Sequence, residues 1–242
     1  MESGALKGVP ASRPFGALGS TLSMIKFQHT LFALPFAYTG AILAAAGWPS
    51  AWRAGWILAA MVGARSAAMV WNRIADLEFD RRNPRTASRP LVTGELGLGF
   101  AWAFFLASVS LFYLSAYLLN RTALLLATPA ILVILSYSYA KRFTRLTHLH
   151  LGASLALAPI GGWVAVSGRL APAPLVLGAA VMLWVAGFDI IYSCQDVDFD
   201  RREGLRSIPG GSGVGRALRS AGGVHAGTGL PPLALPAPLP PG

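Results

Sequence analysis

GARSAAMVWNRIADLEFDRR, residues 63–82, is an apolar run that closes on Asp76, Glu78, Asp80, Arg81 and Arg82. Placed on one continuous helix at ~100° per residue, Arg65, Met69, Asn72, Asp76 and Asp80 share a stripe under about 90° wide. Glu78 falls nearly opposite Arg65 and is a poor ligand candidate. A second stretch, FDIIYSCQDVDFD at 188–200, behaves alike. There Asp189, Tyr192, Asp196 and Asp200 share a face while Asp198 points away. Two apolar helices are therefore expected to end in carboxylates spaced i, i+4.

The sequence around these stretches decides the fold class. Of 242 residues, 54% are hydrophobic and only 12% charged, about half the ~25% charge of an ordinary soluble domain. Runs such as LFALPFAYTGAILAAAG, AWAFFLASVSLFYLSAYLL and LLLATPAILVILSYSYA reach or approach the ~20 apolar residues that cross a bilayer as a helix. The expectation is an all-α, polytopic transmembrane bundle with spans near 22–46, 54–76, 96–119, 122–140, 148–167 and 173–196. The first run is longer than a signal-peptide core and lacks a small-residue cleavage site, so it is expected to remain as a span.

The basic residues explain the net charge of +10. Arg81, Arg82, Arg85 and Arg89 follow the second span, Lys141, Arg142 and Arg145 the fourth, and Arg201, Arg202 and Arg206 the sixth. Loops after the odd spans carry only Arg53, Arg121 and Arg169. This asymmetry points to a cytoplasmic amino terminus and cytoplasmic even loops, not to nucleic-acid binding. The single cysteine, Cys194, excludes an internal disulfide or a cysteine metal cluster and is expected to serve helix packing. Trp48 and Trp52 are expected to anchor an interfacial loop, and Pro35, Pro129 and Pro159 to kink their spans, with Pro35 and Pro159 candidates for opening ligand space. The chain divides into a segment 1–20, a membrane domain 21–209, and a Gly/Pro-rich segment 210–242 without acidic residues or a periodic apolar face, expected to be disordered.

Carboxylates at i, i+4 project side by side and suit Mg²⁺, which takes a few protein oxygens and completes its shell with water and substrate phosphates. Two such pairs facing each other would hold a metal-bound diphosphate, with nearby arginines and lysines neutralising the remaining charge. The plainer alternative for each cluster is a solvated, snorkelling helix end. Arg65 and Asp189 lie a turn or more inside their spans, where an ionisable group is a functional candidate by default.

The residues N-x-x-x-D-x-x-x-D (Asn72 to Asp80) and Y-x-x-x-D-x-x-x-D (Tyr192 to Asp200) resemble the UbiA-type intramembrane aromatic prenyltransferases. KFQHTLFALPFAYTGA, YSYAKRFT and LGASLALAPIGGWVAVSG agree, and the resemblance covers most of residues 20–209. It is nearest to the bacterial branch labelled 4-hydroxybenzoate polyprenyltransferase-like, including menaquinone-pathway members.

The resemblance implies transfer of a polyprenyl group from its diphosphate to an aromatic acid, 4-hydroxybenzoate or a dihydroxynaphthoate, in the bacterial inner membrane. It implies Mg²⁺ on Asp76, Asp80, Asp196 and Asp200. Asn72, Arg89, Lys141 and Arg142 would bind the diphosphate; Asp189 and Tyr192 are candidates for orienting the acceptor or shielding the allylic cation, and Arg65 is a further catalytic candidate from its place inside its span. Lys26 and His29 are candidates for an acceptor carboxylate, or plain helix-end residues; His148 and His150 receive no role. The family fold has about nine helices and this chain offers six, with the resemblance ending near Pro209 and a tail that resembles out-of-frame coding sequence. Other expectations are a haem- or chlorophyll-type prenyltransferase, an inactive remnant, or a non-enzymatic bundle that handles ions.

Overall fold

Three of the apolar spans start where a first amide donor is satisfied or absent. Ser50 Oγ accepts from the Arg53 N–H at 3.4 Å, and Asn120 Oδ1 from the Ala123 N–H at 2.9 Å. Pro172, with no N–H to leave unpaired, opens another helix. Gly168, at φ +67°, ends the helix before it in the left-handed region that glycine enters without strain.

The computed structural model describes residues 28–227 together with 19 and 21, and all regular structure among them is helical. The helices are α1 (Gln28–Ala45), α2 (Ala51–Ala75), α3 (Leu77–Arg82), α4 (Pro90–Thr93), α5 (Leu98–Leu119), α6 (Arg121–Phe143), α7 (Thr147–Ser167), α8 (Pro172–Ser193), α9 (Val197–Arg202), α10 (Ile208–Ser212) and α11 (Val214–Ala226). A 3₁₀ turn, Cys194–Asp196, joins α8 to α9. By length and composition, α2, α5, α6, α7 and the run from α8 to Arg202 can each cross a membrane, and α1 adds the apolar segment Ala33–Ala45. The six expected spans thus match α1, α2, α5, α6, α7 and α8 within a few residues, apart from residues 22–27, which lie outside those described. Lys26 and the side chain of His29 lie outside the described residues.

The helices pack in a ring, α1 on α2, α2 on α6, α6 on α7 and α7 on α1, while α5 covers α2 and α8 packs along α7. In a bilayer such contacts depend on close packing, because lipid is as apolar as the side chains. Small residues provide it. A Cβ at Gly162 would stand 1.9 Å from the Ala37 carbonyl oxygen, and one at Gly40 2.0 Å from that of Pro159. Pro159 is fully buried at this α1–α7 contact, so there the proline serves packing; Pro129 lines the internal chamber.

Two expectations are corrected. First, neither acidic stretch is one continuous helix. Asp76, at φ −99° and ψ 8°, ends α2 and starts α3; Asp196, at φ −106° and ψ 8°, ends the 3₁₀ turn and starts α9. The same break therefore precedes LEFDRR and VDFDRR, two short helices of matching sequence pattern. Second, the segment 210–242 is not wholly irregular: residues 210–212 and 214–226 are helical, and those beyond 227 lie outside the described residues. α11 lays Ala217 and Ala221, both fully buried, against Ile190 of α8. His225 occupies the space left open by Gly187, where a Cβ would meet its ring at 2.4 Å. Ala217, Leu218, Ala221 and Val224 recur at helical spacing, so the segment does carry an apolar face, contrary to the expectation from sequence.

Candidate active site

The break at Asp76 turns α3 so that Asp80 is buried, while Glu78 remains exposed. The loop that follows folds back because Leu91 and Leu96 pack against Val70 and Ala101. That places the Arg89 guanidinium on the Asp80 carboxylate, an ion pair between side chains 20% and 9% exposed. Thr86 Oγ1 donates to the Asp80 carbonyl at 3.0 Å and fixes the turn.

α9 repeats the arrangement with Asp200 only 1% exposed and Asp198 facing solvent. Lys141 Nζ reaches both Asp200 oxygens at 3.2 and 3.3 Å. Its neighbour Arg142 turns the other way, donating to Asp76 Oδ1 at 3.1 Å and to the Ala75 carbonyl at 2.6 Å. Two consecutive residues at the end of α6 therefore touch the two acidic helix ends. Arg85 adds a direct link, with a bidentate fork of 2.8 Å bonds to both oxygens of Asp196. Arg82 to Glu203 at 2.8 Å completes it on the exposed side.

All four motif carboxylates, with Arg85, Arg89, Lys141 and Arg142, line one cavity of about 190 Å³. Burial raises the Asp76 carboxyl above its ordinary value, opposed by the Arg142 hydrogen bond and reinforced by the Asp80 charge. Asn72 Nδ2 also donates to Asp76 at 2.8 Å, and its own carbonyl accepts from Arg73 at 3.2 Å.

Beneath lies a second, largely apolar chamber of about 690 Å³ lined by α1, α2, α5, α6, α7 and α8. Asn72, Arg85, Arg89, Tyr137, Asp189 and Tyr192 line both spaces and mark their junction. Arg65 lines the chamber alone, and its buried Nε has no hydrogen-bond partner. A guanidinium left unpaired in an apolar wall is a strong anion site, since the desolvation cost is recovered only when a counter-charge arrives.

The donor set consists of hard carboxylate oxygens. Among the described residues, no three of His, Cys, Asp and Glu are grouped to hold a metal ion. These residues fit a cation that takes one or two carboxylates and completes its shell with water and phosphate, as Mg²⁺ does. They do not fit one that needs an all-protein cage.

Every expected metal, diphosphate and catalytic residue lines one of these two adjoining cavities, whereas Lys26 and the side chain of His29 lie outside the described residues. Sequence alone missed Arg85, Tyr137 and His148. Arg85 was visible only as one more basic loop residue. Tyr137, in the wall of both cavities, gave no signal inside an apolar span. His148 is fully exposed to neither solvent nor cavity: it is buried and hydrogen-bonded to Asp189 at 2.7 Å.

Comparison with known proteins agrees with this architecture. Residues 33–241 match the model of the UbiA prenyltransferase family, so the match runs past Pro209, where the sequence motifs end. A 4-hydroxybenzoate octaprenyltransferase of Stutzerimonas stutzeri is 31% identical over 165 residues, covering 68% of this chain and 56% of that protein. One from Xanthomonas oryzae pv. oryzae is 35% identical over 166 residues, covering 68% and 55%. The chain thus spans little more than half the length of these relatives. The apo structure of a UbiA homologue from Aeropyrum pernix superposes with a TM-score of 0.78 at 46% identity, covering 83% of this chain and 76% of that one. A UbiA homologue from Archaeoglobus fulgidus bound to GPP and Mg²⁺ superposes at 0.71 with 25% identity, covering 86% and 75%.

Proposed function

We propose that this chain, which belongs to the UbiA prenyltransferase family, carries the centre of an intramembrane aromatic prenyltransferase. The reaction moves a polyprenyl group from its diphosphate to an aromatic acid. One observation carries this reading: two acidic helix ends meet over a cation-lined cavity that shares a wall with an apolar chamber. The polar cavity suits a diphosphate and the chamber suits its hydrocarbon chain. The solved relative bound to GPP and Mg²⁺ supports that pairing of ligands.

Asp76, Asp80, Asp196 and Asp200 would hold Mg²⁺ together with the diphosphate. When bound, Mg²⁺ supplies neutralisation of the charge that develops on the departing diphosphate. Arg85, Arg89, Lys141 and Arg142 now neutralise the carboxylates. On substrate binding these cations would turn to the phosphate oxygens, so that site and ligand together keep a near-balanced charge. Asn72, held by Arg73, steers Asp76. The C–O bond to diphosphate breaks at the junction, and the allylic group is kept from water by the chamber wall. Tyr192 and Tyr137 border that point with aromatic rings suited to a passing cation. Arg65 takes the acceptor's carboxylate and Asp189 orients its hydroxyl, so that the ring carbon beside that hydroxyl attacks. A C–C bond forms and the ring proton is lost.

The relatives' names favour 4-hydroxybenzoate as acceptor over a dihydroxynaphthoate. The basic loops after α2, α6 and α8 support a cytoplasmic orientation of the site, in what we propose is the bacterial inner membrane. Membranes containing this chain, incubated with Mg²⁺, a labelled polyprenyl diphosphate and each acceptor in turn, test the proposal. Prenylated product is expected, and its loss in Asp76→Ala and in Asp196→Ala. Full activity in both variants removes the metal assignment.

A further inference from the structure

We propose that His148 is a positioning residue that aims the Asp189 carboxylate at the junction of the two cavities. The inference rests on the prenyl-transfer reading above and adds a residue that no sequence motif marks.

His148 is the second residue of α7 and has no exposed surface. Its Nε2 lies 3.3 Å from the backbone nitrogen of Ile208, which begins α10. A backbone N–H only donates, so Nε2 is the accepting nitrogen and Nδ1 bears the hydrogen. Nδ1 therefore donates to Asp189 Oδ2 at 2.7 Å. Asp189 Oδ1 has no hydrogen bond among the described residues, and Asp189 lines both cavities. One oxygen is tethered and the other is presented to the space where the acceptor must sit.

The tether does more than hold a rotamer. Asp189 sits on α8, His148 on α7 and Ile208 beyond the second acidic motif, at separations of 41 and 60 residues. With its Nδ1–H committed to the carboxylate and its Nε2 to a backbone amide, His148 has a single tautomer and a single ring orientation. Asp189 thereby keeps its second oxygen available at the point where a phenolic hydroxyl must be oriented. Pairing of an aspartate with a histidine fixed from behind is a common way to hold a catalytic group in register.

The test compares His148→Leu, His148→Gln, Asp189→Asn and the Leu/Asn double variant in the membrane assay. His148→Leu is expected to lower kcat/KM for the aromatic acceptor about 10–100-fold, the usual cost of misplacing a reacting group, with KM for the prenyl diphosphate shifted less than about threefold. His148→Gln keeps an amide donor and acceptor and is expected to recover most of the loss. Added to Asp189→Asn, His148→Leu should cost less than about threefold more, because both act through one carboxylate. A fully additive double variant, an equal shift in both KM values, or an unaffected His148→Leu overturns the proposal. If His148→Leu does not accumulate in membranes, Asp189→Asn alone must show the same acceptor-specific loss, and its absence overturns the proposal as well. A wild-type chain that prenylates no acceptor refutes the transfer reading, which an active wild type with an unaffected His148→Leu does not.

Discussion

Replacing Arg142 with lysine keeps the charge of the site and removes its geometry. Arg142 Nη2 donates to two acceptors, the Ala75 carbonyl at 2.6 Å and Asp76 Oδ1 at 3.1 Å, and the guanidinium lies over the rings of Tyr139 and Phe79 at 4.8 and 5.1 Å. A lysine ammonium is a compact point charge on a stem that ends short of Nη2, so it reaches at best one of these acceptors and lacks the stacked plane. The loss is one charge-assisted hydrogen bond, about 1.5–3 kcal/mol, and up to about 1 kcal/mol for cation–π contact at a partly exposed site. The paired side chains are 29% and 27% exposed, so solvent screens the pair only in part. A total of about 2–3 kcal/mol, if it falls on the transition state, is a rate loss of roughly 30–150-fold.

Because Asp76 is the affected carboxylate, the Mg²⁺ concentration for half-maximal rate should also rise, by about tenfold as for loss of an outer-shell partner. Prenyl transfer measured across a Mg²⁺ titration reads both quantities. Arg82→Lys is the control: its partner Glu203 lies on the exposed side, with the Arg82 side chain 50% exposed, and a change below about threefold is expected. Arg142→Lys with wild-type kcat and wild-type Mg²⁺ dependence would refute the idea that Arg142 sets the position of Asp76.

Three further outcomes follow from the geometry. Arg65→Leu removes the unpaired guanidinium and should raise KM for the aromatic acid at least about tenfold while leaving prenyl diphosphate binding intact, an acceptor-selective loss read in steady-state kinetics. Gly162→Ala drives a Cβ to 1.9 Å from a backbone oxygen that has no side chain to move, and should destabilise the α1–α7 contact by about 1–3 kcal/mol in a thermal melt in detergent. Gly161→Ala, with nothing within 4 Å, should melt like wild type. Arg85→Ala frees both oxygens of Asp196 and should weaken diphosphate binding more than Mg²⁺ binding, because it removes a cation and unmasks an anion; calorimetry with each ligand separates the two.

Sequence alone determined the helices and the two acidic stripes, for a local physical reason. Apolar length selects a membrane span, helical period selects which side chains share a face, and both depend on neighbours within a few turns. Asp76, Asp80, Asp196 and Asp200, with Arg65, Asn72 and Asp189, were legible on that basis. The opposite orientations of Glu78 and Asp198 were legible too, and both are exposed.

Tertiary structure decided which group answers which. Lys141 meets Asp200 and Arg142 meets Asp76 although the two cations are adjacent in sequence; only the placement of α6 between the motifs separates their tasks. The helix breaks at Asp76 and Asp196 follow no local period, and although the apolar spacing of α11 is local, its docking on α8 through Ala217 and Ala221 is a contact across the bundle. The same holds for His148 behind Asp189. A buried histidine gains its partner from a helix 41 residues away, and a hydrogen bond at that separation is set by packing, not by spacing along the chain.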